Sequence, residues 1–405
     1  MDSRFTPHNM HLRDLDIFRE HDPHLQALAE QVYVYRAPLL DELPRDIPGI
    51  YTICGGRQIG KSTLLKQWML ALLDDGVSSS QIVFFSGEMI NDQHALYKIL
   101  THQLEQMPKD QLLYVLIDEI TYISDWDKGV KYLADAGFLR QVVLVLTGSD
   151  SVILQEARMR FPGRRGKADK VNFHLYTLSF KEYLHLVGHS SDNYSLDELY
   201  GRFQNYLIHG GYLTAINEFE KTGSIRISTL DTYAEWIRGD MLKRGRSEHF
   251  LREIIQATIK RYGSQISWVN LAKDLSIDHP KTVAEYVDSL ASMDAVFVQQ
   301  ALMEDKLVAA PKKQKKLLFT DPFIYHALHY WVSPVDNPFH NHIQQAICDS
   351  KISSTLVESV VVAHIKRHFP TYYIKAEGEV MLLMWRKTHS FQLRSSGQSN
   401  FVVMI

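Results

Sequence analysis

Five short runs of consecutive apolar residues alternate with stretches in which apolar residues recur every three or four positions. A continuous apolar run is typical of a parallel strand buried on both faces, and the longer spacing is typical of an amphipathic helix. The alternation predicts a parallel α/β sheet in the first half of the chain. The predicted strands are Ile50–Cys54, Ile82–Phe85, Leu112–Ile117, Val142–Leu146 and Phe173–Leu178.

The rest of the chain is organised differently from this sheet. Apolar residues at helical spacing before the first strand, including 25–32, predict an approach helix. Mostly helical patterns follow the last strand, and we expect them to form a lid beside a ligand. The predicted parts are an N-terminal helical segment (1–35), the α/β core (36–185), a helical lid (186–250), a winged helix (251–335) and a truncated C-terminal α/β domain (336–405).

The winged-helix prediction depends on a change of pattern after residue 250. A short helix and a turn precede a second helix at Lys281–Leu290, and two predicted strands then flank the basic loop Pro311–Lys316. Helix, turn, helix and hairpin make a winged helix. Its second helix could enter a DNA major groove, and the loop lysines could contact phosphates. Glu285 and Asp288 on that helix oppose DNA contact, and winged helices also serve as packing modules.

A glycine-rich segment stands between the first predicted strand and a helical pattern. It runs from Gly55 to Ser62 and fits G-x-x-x-x-G-K-[ST], the phosphate-loop pattern. Backbone N–H groups and the helix dipole converge at such a point, and polyphosphate is the natural ligand there. Lys61 would reach the β- and γ-phosphates, and the Ser62 hydroxyl would ligate Mg²⁺. The predicted ATP-binding residues are Gly55, Gly56, Arg57, Gln58, Ile59, Gly60, Lys61, Ser62 and Thr63.

Polar residues also follow two later strands. Asp118 and Glu119 end the third strand, where Asp118 would hold Mg²⁺ and Glu119 would polarise the water that attacks the γ-phosphate. Thr147 and Ser149 end the fourth strand, where a sensor of the γ-phosphate would lie. Ligands of parallel sheets bind at the carboxyl ends of the strands, so we expect these groups to share one site.

A basic segment lies between the fourth and fifth strands. It is either a solvated loop or the source of an arginine offered to a γ-phosphate, within the chain or in a neighbouring subunit. Guanidinium suits that role because it is planar, always charged and a bidentate donor. Arg164 is the predicted catalytic arginine because the turn at Pro162-Gly163 gives it a defined position.

Composition narrows the class of protein. The 405 residues include 45% hydrophobic and 22% charged residues, as is usual for a globular chain of several domains. The formal net charge of −3 provides no overall basic field for nucleic acid, so any such binding needs a local patch. Two cysteines, Cys54 and Cys348, form no disulfide framework, which suits a reducing cytoplasm. We expect no signal peptide and no membrane span.

Taken together, the motifs resemble the prokaryotic AAA-type P-loop ATPases that end in a domain of unknown function with a restriction-endonuclease-like pattern. The resemblance covers about 35–380 and implies an AAA fold and an ATP site. Phe323 stands where glycine is usual in the family. The matching segments are Gly55–Ser62, Asp118-Glu119, Trp126, Thr147–Ser149, Pro162–Arg164, Leu178–Leu184, Lys316–Pro322 and Leu356–Val361.

The resemblance stops abruptly after Val380. Relatives continue with E-V-D and later E-V-K, the acid and lysine pattern of a nuclease-like fold, whereas this chain continues with unrelated residues. Back-translation with one inserted base before codon 381 restores both an acid and a Glu-x-Lys. We therefore interpret 381–405 as out of frame and expect this segment to pack poorly. Glu358 could still supply one carboxylate, but a single acid without the other ligands of the pattern cannot assemble a nuclease metal site.

The functional prediction is an Mg²⁺-dependent ATPase whose hydrolysis changes the conformation of the winged-helix half. The alternative is a nucleotide-gated DNA-binding protein in which slow hydrolysis resets a switch. A homo-oligomer is compatible with an arginine supplied to a neighbouring subunit. We expect ATP and Mg²⁺ as ligands, DNA as a candidate partner and no membrane partner.

Overall fold

The computed structural model describes residues 2–108, 110–152, 157, 159–188, 194–303, 305–306 and 308–374. It also describes the backbone of 380–386 and 389–394. The chain divides into two compact units, Met1–Tyr176 and Thr177–Ile405.

The first unit is an α/β domain. Its helices are α1 (Leu15–His21), α2 (Pro23–Ala29), α3 (Leu39–Glu42), α4 (Lys61–Asp74), α5 (Gln93–Gln106) and α6 (Trp126–Asp135). Short 3₁₀ turns lie at Ser3–His8, Met10–Leu12, Ser79–Gln81, Gly87–Met89 and Ile120–Tyr122. Its strands are β1 (Gly49–Cys54), β2 (Ile82–Ser86), β3 (Leu113–Asp118), β4 (Val142–Gly148) and β5 (Asn172–His174).

The five strands form one parallel sheet in the order β2-β3-β4-β1-β5. Every residue of β1, β3 and β4 is buried, which explains why these strands are continuous apolar runs rather than alternating ones. The prediction of a parallel α/β sheet is therefore confirmed. The fifth strand is shorter than predicted: β5 spans Asn172–His174, whereas the predicted strand continued to Leu178.

The N-terminal segment closes the exposed edge of the sheet. The Asn9 side chain accepts a hydrogen bond from Phe84 N at 2.7 Å and donates one to Phe84 O at 2.7 Å. His11 Nε2 lies 3.0 Å from the Ile82 carbonyl. Because β2 is an edge strand, its outer N–H and C=O groups would otherwise be unpaired. The segment is thus part of the domain, and its helices are shorter than the predicted helix at 25–32.

A buried ion pair joins this segment to α4. Lys66 Nζ lies 2.9 Å from Asp22 Oδ2, and both side chains are at most 1% exposed. The ammonium also donates to the His8 carbonyl at 2.6 Å and lies 4.1 Å from the centre of the Phe84 ring. Burial lowers the pKa of Lys66, and Asp22 opposes that shift. A buried charge is costly unless it is paired, so each member of the pair depends on the other.

The second unit is mostly helical at first and then contains a mixed sheet. Its helices are α7 (Phe180–Leu186), α8 (Leu196–His209), α9 (Leu213–Thr222), α10 (Ile227–Lys243), α11 (Glu248–Lys260), α12 (Trp268–Lys273), α13 (Pro280–Ser292), α14 (Pro322–Val332), α15 (Gln345–Cys348) and α16 (Ser350–Lys366), with a π-helical turn at Phe339–Gln344. Its strands are β6 (Gln265–Ile266), β7 (Val296–Met303), β8 (Val308–Ala309), β9 (Lys315–Phe319), β10 (Thr371–Ile374), β11 (Val380–Arg386) and β12 (His389–Arg394).

Local sequence signals account for two features of this unit. Ser179 and Glu182 form a capping box at the start of α7, which gives the serine and glutamate of the L-S-F-x-E-Y-L segment a structural role. The buried Asp321 carboxylate accepts hydrogen bonds from Gly211 N at 2.8 Å and Phe323 N at 2.9 Å. Burial raises the pKa of Asp321 to about 6. A Cβ at Gly210 would overlap this carboxylate, so the turn after α8 requires glycine.

The predicted helix–turn–helix and hairpin segments form α12, α13, β7 and β9, and β7 pairs antiparallel with β9. The α13 side chains contact their own unit: Glu285 Oε2 lies 2.9 Å from Arg246 Nη1, and Tyr286 is buried. Lys316, one of the basic-loop lysines expected to contact phosphate, is instead buried in an ion pair with Glu358 at 2.9 Å. That expectation is wrong for Lys316 because its side chain is only 1% exposed.

The C-terminal strands extend the same sheet. β10 runs parallel to β7, β11 runs antiparallel to β10, and β12 runs antiparallel to β11. The side chains beyond Ile374, and all of 395–405, lie outside the described residues. The interpretation of 381–405 as an out-of-frame, poorly packed segment therefore stays a prediction.

We expect Asp22→Asn to lower the free energy of unfolding by about 3 kcal/mol, because it leaves the Lys66 ammonium buried without its counter-charge. Asparagine keeps a side-chain oxygen for the N-cap of α2, where Asp22 Oδ1 accepts from His24 N at 3.0 Å. Urea denaturation of the single variants, Lys66→Met and the double variant measures the coupling between the two charges.

The exposed pair Lys170–Glu42 provides the matched control, since both side chains are about half exposed. Glu42→Gln should cost less than about 1 kcal/mol. A loss for Asp22→Asn as small as that for Glu42→Gln would contradict a stabilising role for the buried pair.

Candidate nucleotide site

Glycines allow the loop between β1 and α4 to adopt a tightly folded backbone. Gly60 precedes α4 with φ of 94°, a left-handed conformation that residues with a side chain seldom adopt. At Gly55 a Cβ would lie 2.3 Å from the Leu175 carbonyl oxygen and 2.4 Å from Ile59 Cδ1. Gln58 also has a positive φ, of 58°. The loop is therefore tightly folded above the end of β1, and it leads directly into the N-terminus of α4.

The Lys61 ammonium lies at the centre of the site. Its Nζ donates to the carbonyls of Gly55 at 3.1 Å and Gly56 at 2.9 Å, and to Ser149 Oγ at 3.2 Å. It also lies 3.4 Å from Glu119 Oε1. The side chain is only 4% exposed, so these acceptors take the place of water around a buried charge.

Ser62 and Asp118 bring two oxygen ligands together. Ser62 Oγ donates to Asp118 Oδ2 at 2.6 Å, and Thr147 Oγ1 donates to Asp118 Oδ1 at 2.5 Å. The same Thr147 oxygen accepts from Glu119 N at 3.0 Å. Thr147 therefore fixes both the carboxylate of Asp118 and the backbone of the next residue.

Glu119 is held by two groups of the site. Its Oε1 accepts a hydrogen bond from Ser149 Oγ and lies beside Lys61 Nζ. Its backbone has φ of 50° and ψ of 48°, which is unusual for a residue with a side chain. Such local strain is common at functional sites, where the surrounding structure holds it in place. The carboxylate consequently faces the same space as the ammonium.

Gly87, which no sequence pattern indicated, makes room for the turn at Glu119. A Cβ at Gly87 would lie 2.4 Å from the Glu119 carbonyl oxygen and 2.9 Å from its carbonyl carbon. The sequence offers only one indication of this role, namely that a glycine stands directly after β2. No motif marks that position, and the close approach depends on the pairing of β2 with β3.

Of the other predicted loop residues, Arg57 contacts Tyr122. Its Nη2 donates to the Tyr122 hydroxyl at 2.5 Å, and its guanidinium lies 5.8 Å from the centre of that ring. Ile59 packs against the apolar core formed with α4. Thr63 lies in the first turn of α4.

Arg164 forms an ion pair with Asp135 at the end of α6, and this contact lowers the pKa of the Asp135 carboxyl. Its neighbour Arg165 is inserted between β1 and β5. The Arg165 guanidinium donates to Thr52 Oγ1 at 2.9 Å and to the Ile50 and Val171 carbonyls at 3.2 and 2.9 Å. The two adjacent arginines thus have different surroundings. Arg165 joins strands, whereas Arg164 lies on the surface.

The donor set suits a small, hard cation with oxygen ligands. Mg²⁺ is usually bound by one or two protein oxygens together with waters and substrate phosphates. Within the described part of the chain, no three His, Cys, Asp or Glu side chains converge as metal ligands. The Ser62 hydroxyl and the Asp118 carboxylate suit a cation that is also bound by waters and substrate phosphates. They do not suit a metal site made only of protein side chains.

No helix in the described ranges has the length and apolar character needed to cross a bilayer.

Comparison with known proteins agrees with the geometry. The model of the AAA domain family matches residues 48–184, and the model of a domain of unknown function, DUF8612, matches 200–335. An uncharacterized protein of Haemophilus influenzae is 27% identical over 259 residues. That match spans 61% of this chain and 61% of the relative, so it covers less than two thirds of the relative's length.

Solved structures with partial similarity include a Walker-type ATPase of Pyrococcus abyssi and the ORC2 protein of Aeropyrum pernix in ADPNP–ADP complexes. The first has a TM-score of 0.44 at 14% identity and covers 78% of this chain and 97% of that one. The second has a TM-score of 0.39 at 15% identity and covers 83% and 99%. The phosphate loop, the five-stranded parallel sheet and the family match lead to one conclusion: residues 48–184 match the AAA domain family and have the P-loop α/β fold.

Proposed function

We propose that the protein is an Mg²⁺-dependent ATPase. The observation that carries this proposal is the convergence of Lys61, Ser62, Asp118, Glu119 and Ser149 at the carboxyl edge of the sheet. One ammonium, two carboxylates and two hydroxyls meet beside a glycine loop and a helix N-terminus. That combination provides a phosphate cradle, cation ligands and a general base within one small volume.

Lys61 is the proposed phosphate ligand. In the structure its ammonium is satisfied by two loop carbonyls, one hydroxyl and one carboxylate. When a triphosphate enters the loop, its β- and γ-oxygens offer stronger, charged acceptors than carbonyl oxygens do. The lysine then exchanges its present partners for phosphate, while the loop and α4 donate backbone N–H groups to the same oxygens.

Ser62 and Asp118 are the proposed holders of Mg²⁺, with Asp118 acting directly or through water. When bound, the cation would neutralise charge on the β- and γ-phosphates. Thr147 donates to the other oxygen of Asp118 and so orients the carboxylate. We therefore assign Thr147 a positioning role for Asp118, in addition to its predicted role near the γ-phosphate.

Glu119 is the proposed general base. Its carboxylate would accept a proton from the water that attacks the γ-phosphate. In the structure the carboxylate is paired with Ser149 and lies beside Lys61.

We further propose that hydrolysis is coupled to a conformational change in the second unit, with a lid over 186–250 and a winged helix over 251–335. The chain enters that unit at Thr177, three residues after β5 ends at His174. The order α11, β6, α12, α13, β7, β9 and the pairing of β6 with β9 support the winged-helix assignment.

DNA binding is the weaker proposal. The exposed positions of α13 include Lys281 and Asp288, and Glu285 already pairs with Arg246, so this helix presents little positive charge. Of the basic-loop lysines, Lys316 is buried with Glu358, whereas Lys312 and Lys313 are exposed. Phosphate contacts supply much of the affinity of proteins for DNA, and they require accessible cations. We therefore favour the ATPase over a nucleotide-gated DNA-binding protein.

Two substitutions separate binding from turnover. Lys61→Ala should abolish ATP binding, because it removes the cation that contacts the β- and γ-phosphates. Glu119→Gln should retain ATP binding and lower the turnover number by about 100-fold or more, since a carboxamide cannot accept the proton. Calorimetric titration with ATP and a phosphate-release assay measure the two quantities. Undiminished hydrolysis in the glutamine variant would remove Glu119 from the mechanism.

Gly87→Ala tests whether the backbone position of Glu119 matters for turnover, because it leaves the Glu119 side chain unchanged. The added methyl group must displace the Glu119 backbone, so we expect turnover to fall at least about ten-fold with a smaller change in ATP affinity. Gly201→Ala is the matched control, because a Cβ there meets nothing within 4 Å and the residue lies in α8. Equal turnover in the two variants would show that the close approach at Gly87 has no functional consequence.

Arg164→Ala should lower hydrolysis more than ATP binding if the guanidinium acts on a γ-phosphate, within the chain or in a neighbouring copy. Asp135→Ala is the control, because it breaks the same ion pair but leaves the arginine in place. Hydrolysis should therefore survive in the Asp135 variant. Equal losses in both variants would assign Arg164 a structural role through Asp135.

A further inference from the structure

A contact between two loops crosses the carboxyl edge of the five-stranded sheet. Arg57 lies in the phosphate loop after β1, and Tyr122 lies in the turn after β3. Arg57 Nη2 donates a hydrogen bond to the Tyr122 hydroxyl at 2.5 Å, and the guanidinium carbon lies 5.8 Å from the centre of the tyrosine ring. Strands β1 and β3 are not neighbours, because β4 lies between them. The arginine therefore joins two loops whose strands do not pair with each other.

Tyr122 is connected in turn to the proposed general base. Its backbone N–H donates to the Glu119 carbonyl at 3.1 Å, which closes the 3₁₀ turn Ile120–Tyr122. Ile120 is buried in the core, whereas Tyr122 is 36% exposed and lies where Arg57 reaches it. On the other side, Gly87 packs closely against the same Glu119 carbonyl. A shift of Tyr122 therefore acts on the backbone of Glu119.

The contact does not use the side chains that change partners in the proposed mechanism. In that mechanism the Lys61 ammonium exchanges Glu119 for phosphate oxygens, so the 3.4 Å contact between the two side chains is lost. The hydrogen bond between Arg57 and Tyr122 involves neither the ammonium nor the carboxylate. It can therefore continue to hold the turn beside the loop while a triphosphate is bound.

We propose that Arg57 is a positioning residue for hydrolysis, which acts through Tyr122 to set the distance between Glu119 and the phosphate held by the loop. This inference rests on the proposed function, because it takes Glu119 as the base and the loop as the phosphate site. A general base must lie within hydrogen-bond reach of the attacking water, and a misplacement of about 1 Å can lower turnover by about 100-fold. The predicted ATP-binding role of Arg57 is thereby assigned to its backbone in the loop, and its guanidinium is assigned to the turn.

The chemistry of the two side chains suits a link that serves turnover more than stability. A guanidinium is planar, so it can donate to a hydroxyl and also lie against an aromatic ring. Arg57 is half-buried and Tyr122 is exposed, and substitutions at such surface positions usually change the free energy of unfolding very little. We therefore expect changes to this pair to lower turnover and to leave the midpoint of thermal unfolding nearly unchanged.

The test measures turnover and nucleotide affinity separately in variants of the full chain. Phosphate release at saturating ATP with Mg²⁺ gives the turnover number, and calorimetric titration with a non-hydrolysable ATP analogue gives the affinity. Arg57→Met and Tyr122→Phe should each lower turnover, the first by about ten-fold, and change the affinity by less than about two-fold. The double variant should be no slower than Arg57→Met, because both changes break one contact. Tyr132→Phe is the matched control and should leave turnover unchanged, since this tyrosine of α6 is 54% exposed and packs against Tyr97.

Three outcomes would overturn the positioning role alone while the unmodified chain still releases phosphate. Unchanged turnover in both single variants would show that the contact does not position Glu119. A loss of affinity as large as the loss of turnover in Arg57→Met would mean that the guanidinium contacts phosphate directly. Losses that multiply in the double variant would mean that the two residues act independently. If the unmodified chain releases no phosphate although it binds the analogue, the proposed function fails and the positioning role fails with it.

Discussion

The site depends on one constraint: a buried ammonium must always have acceptors. Lys61 is almost completely removed from water, and it satisfies this requirement with the carbonyls of its own loop, a hydroxyl just after β4 and a carboxylate just after β3. An unpaired charge in that position would cost several kcal/mol. The loop, the two strands and the helix must therefore meet at one point. The proposed chemistry uses the exchange of these acceptors for phosphate oxygens.

A second lysine on the same helix shows the contrasting case. Lys66 is also buried, but its partners are Asp22, the His8 carbonyl and an aromatic face, all supplied by the N-terminal segment or by β2. No ligand is needed to satisfy it, so the pair has a structural role. The helix thus carries one cation whose partners can be exchanged and one whose partners are permanent. The permanent pair joins α4 to the segment that covers the edge of the sheet.

Much of the first unit was predictable because its signals are local. Continuous apolar runs predict buried parallel strands, and a glycine loop between a strand and a helix predicts a phosphate site. The acids after β3 and the hydroxyls after β4 follow from the rule that parallel strands end at one edge. The structure brings these residues into contact with one another: Lys61, Asp118, Glu119, Thr147 and Ser149.

The remainder depends on contacts between residues far apart in the sequence. Nothing near Arg164 marks Asp135 as its partner, and nothing in the basic loop marks Lys316 as buried with Glu358. The fit of Gly87 against Glu119 exists only after β2 has paired with β3. Charge and residue type alone therefore predict exposed cations where the fold has made ion pairs. Sequence patterns indicate which residues can act, and the fold decides which of them have other partners.

The central claim is that this convergence of charges hydrolyses ATP with the help of Mg²⁺. Phosphate release by the purified full chain, measured with ATP in the presence of Mg²⁺ and again after chelation with EDTA, tests it most directly. The account predicts steady release with Mg²⁺ and loss of that release with EDTA. Release that is indifferent to EDTA, or no release above the protein-free rate although ATP binds, would contradict it.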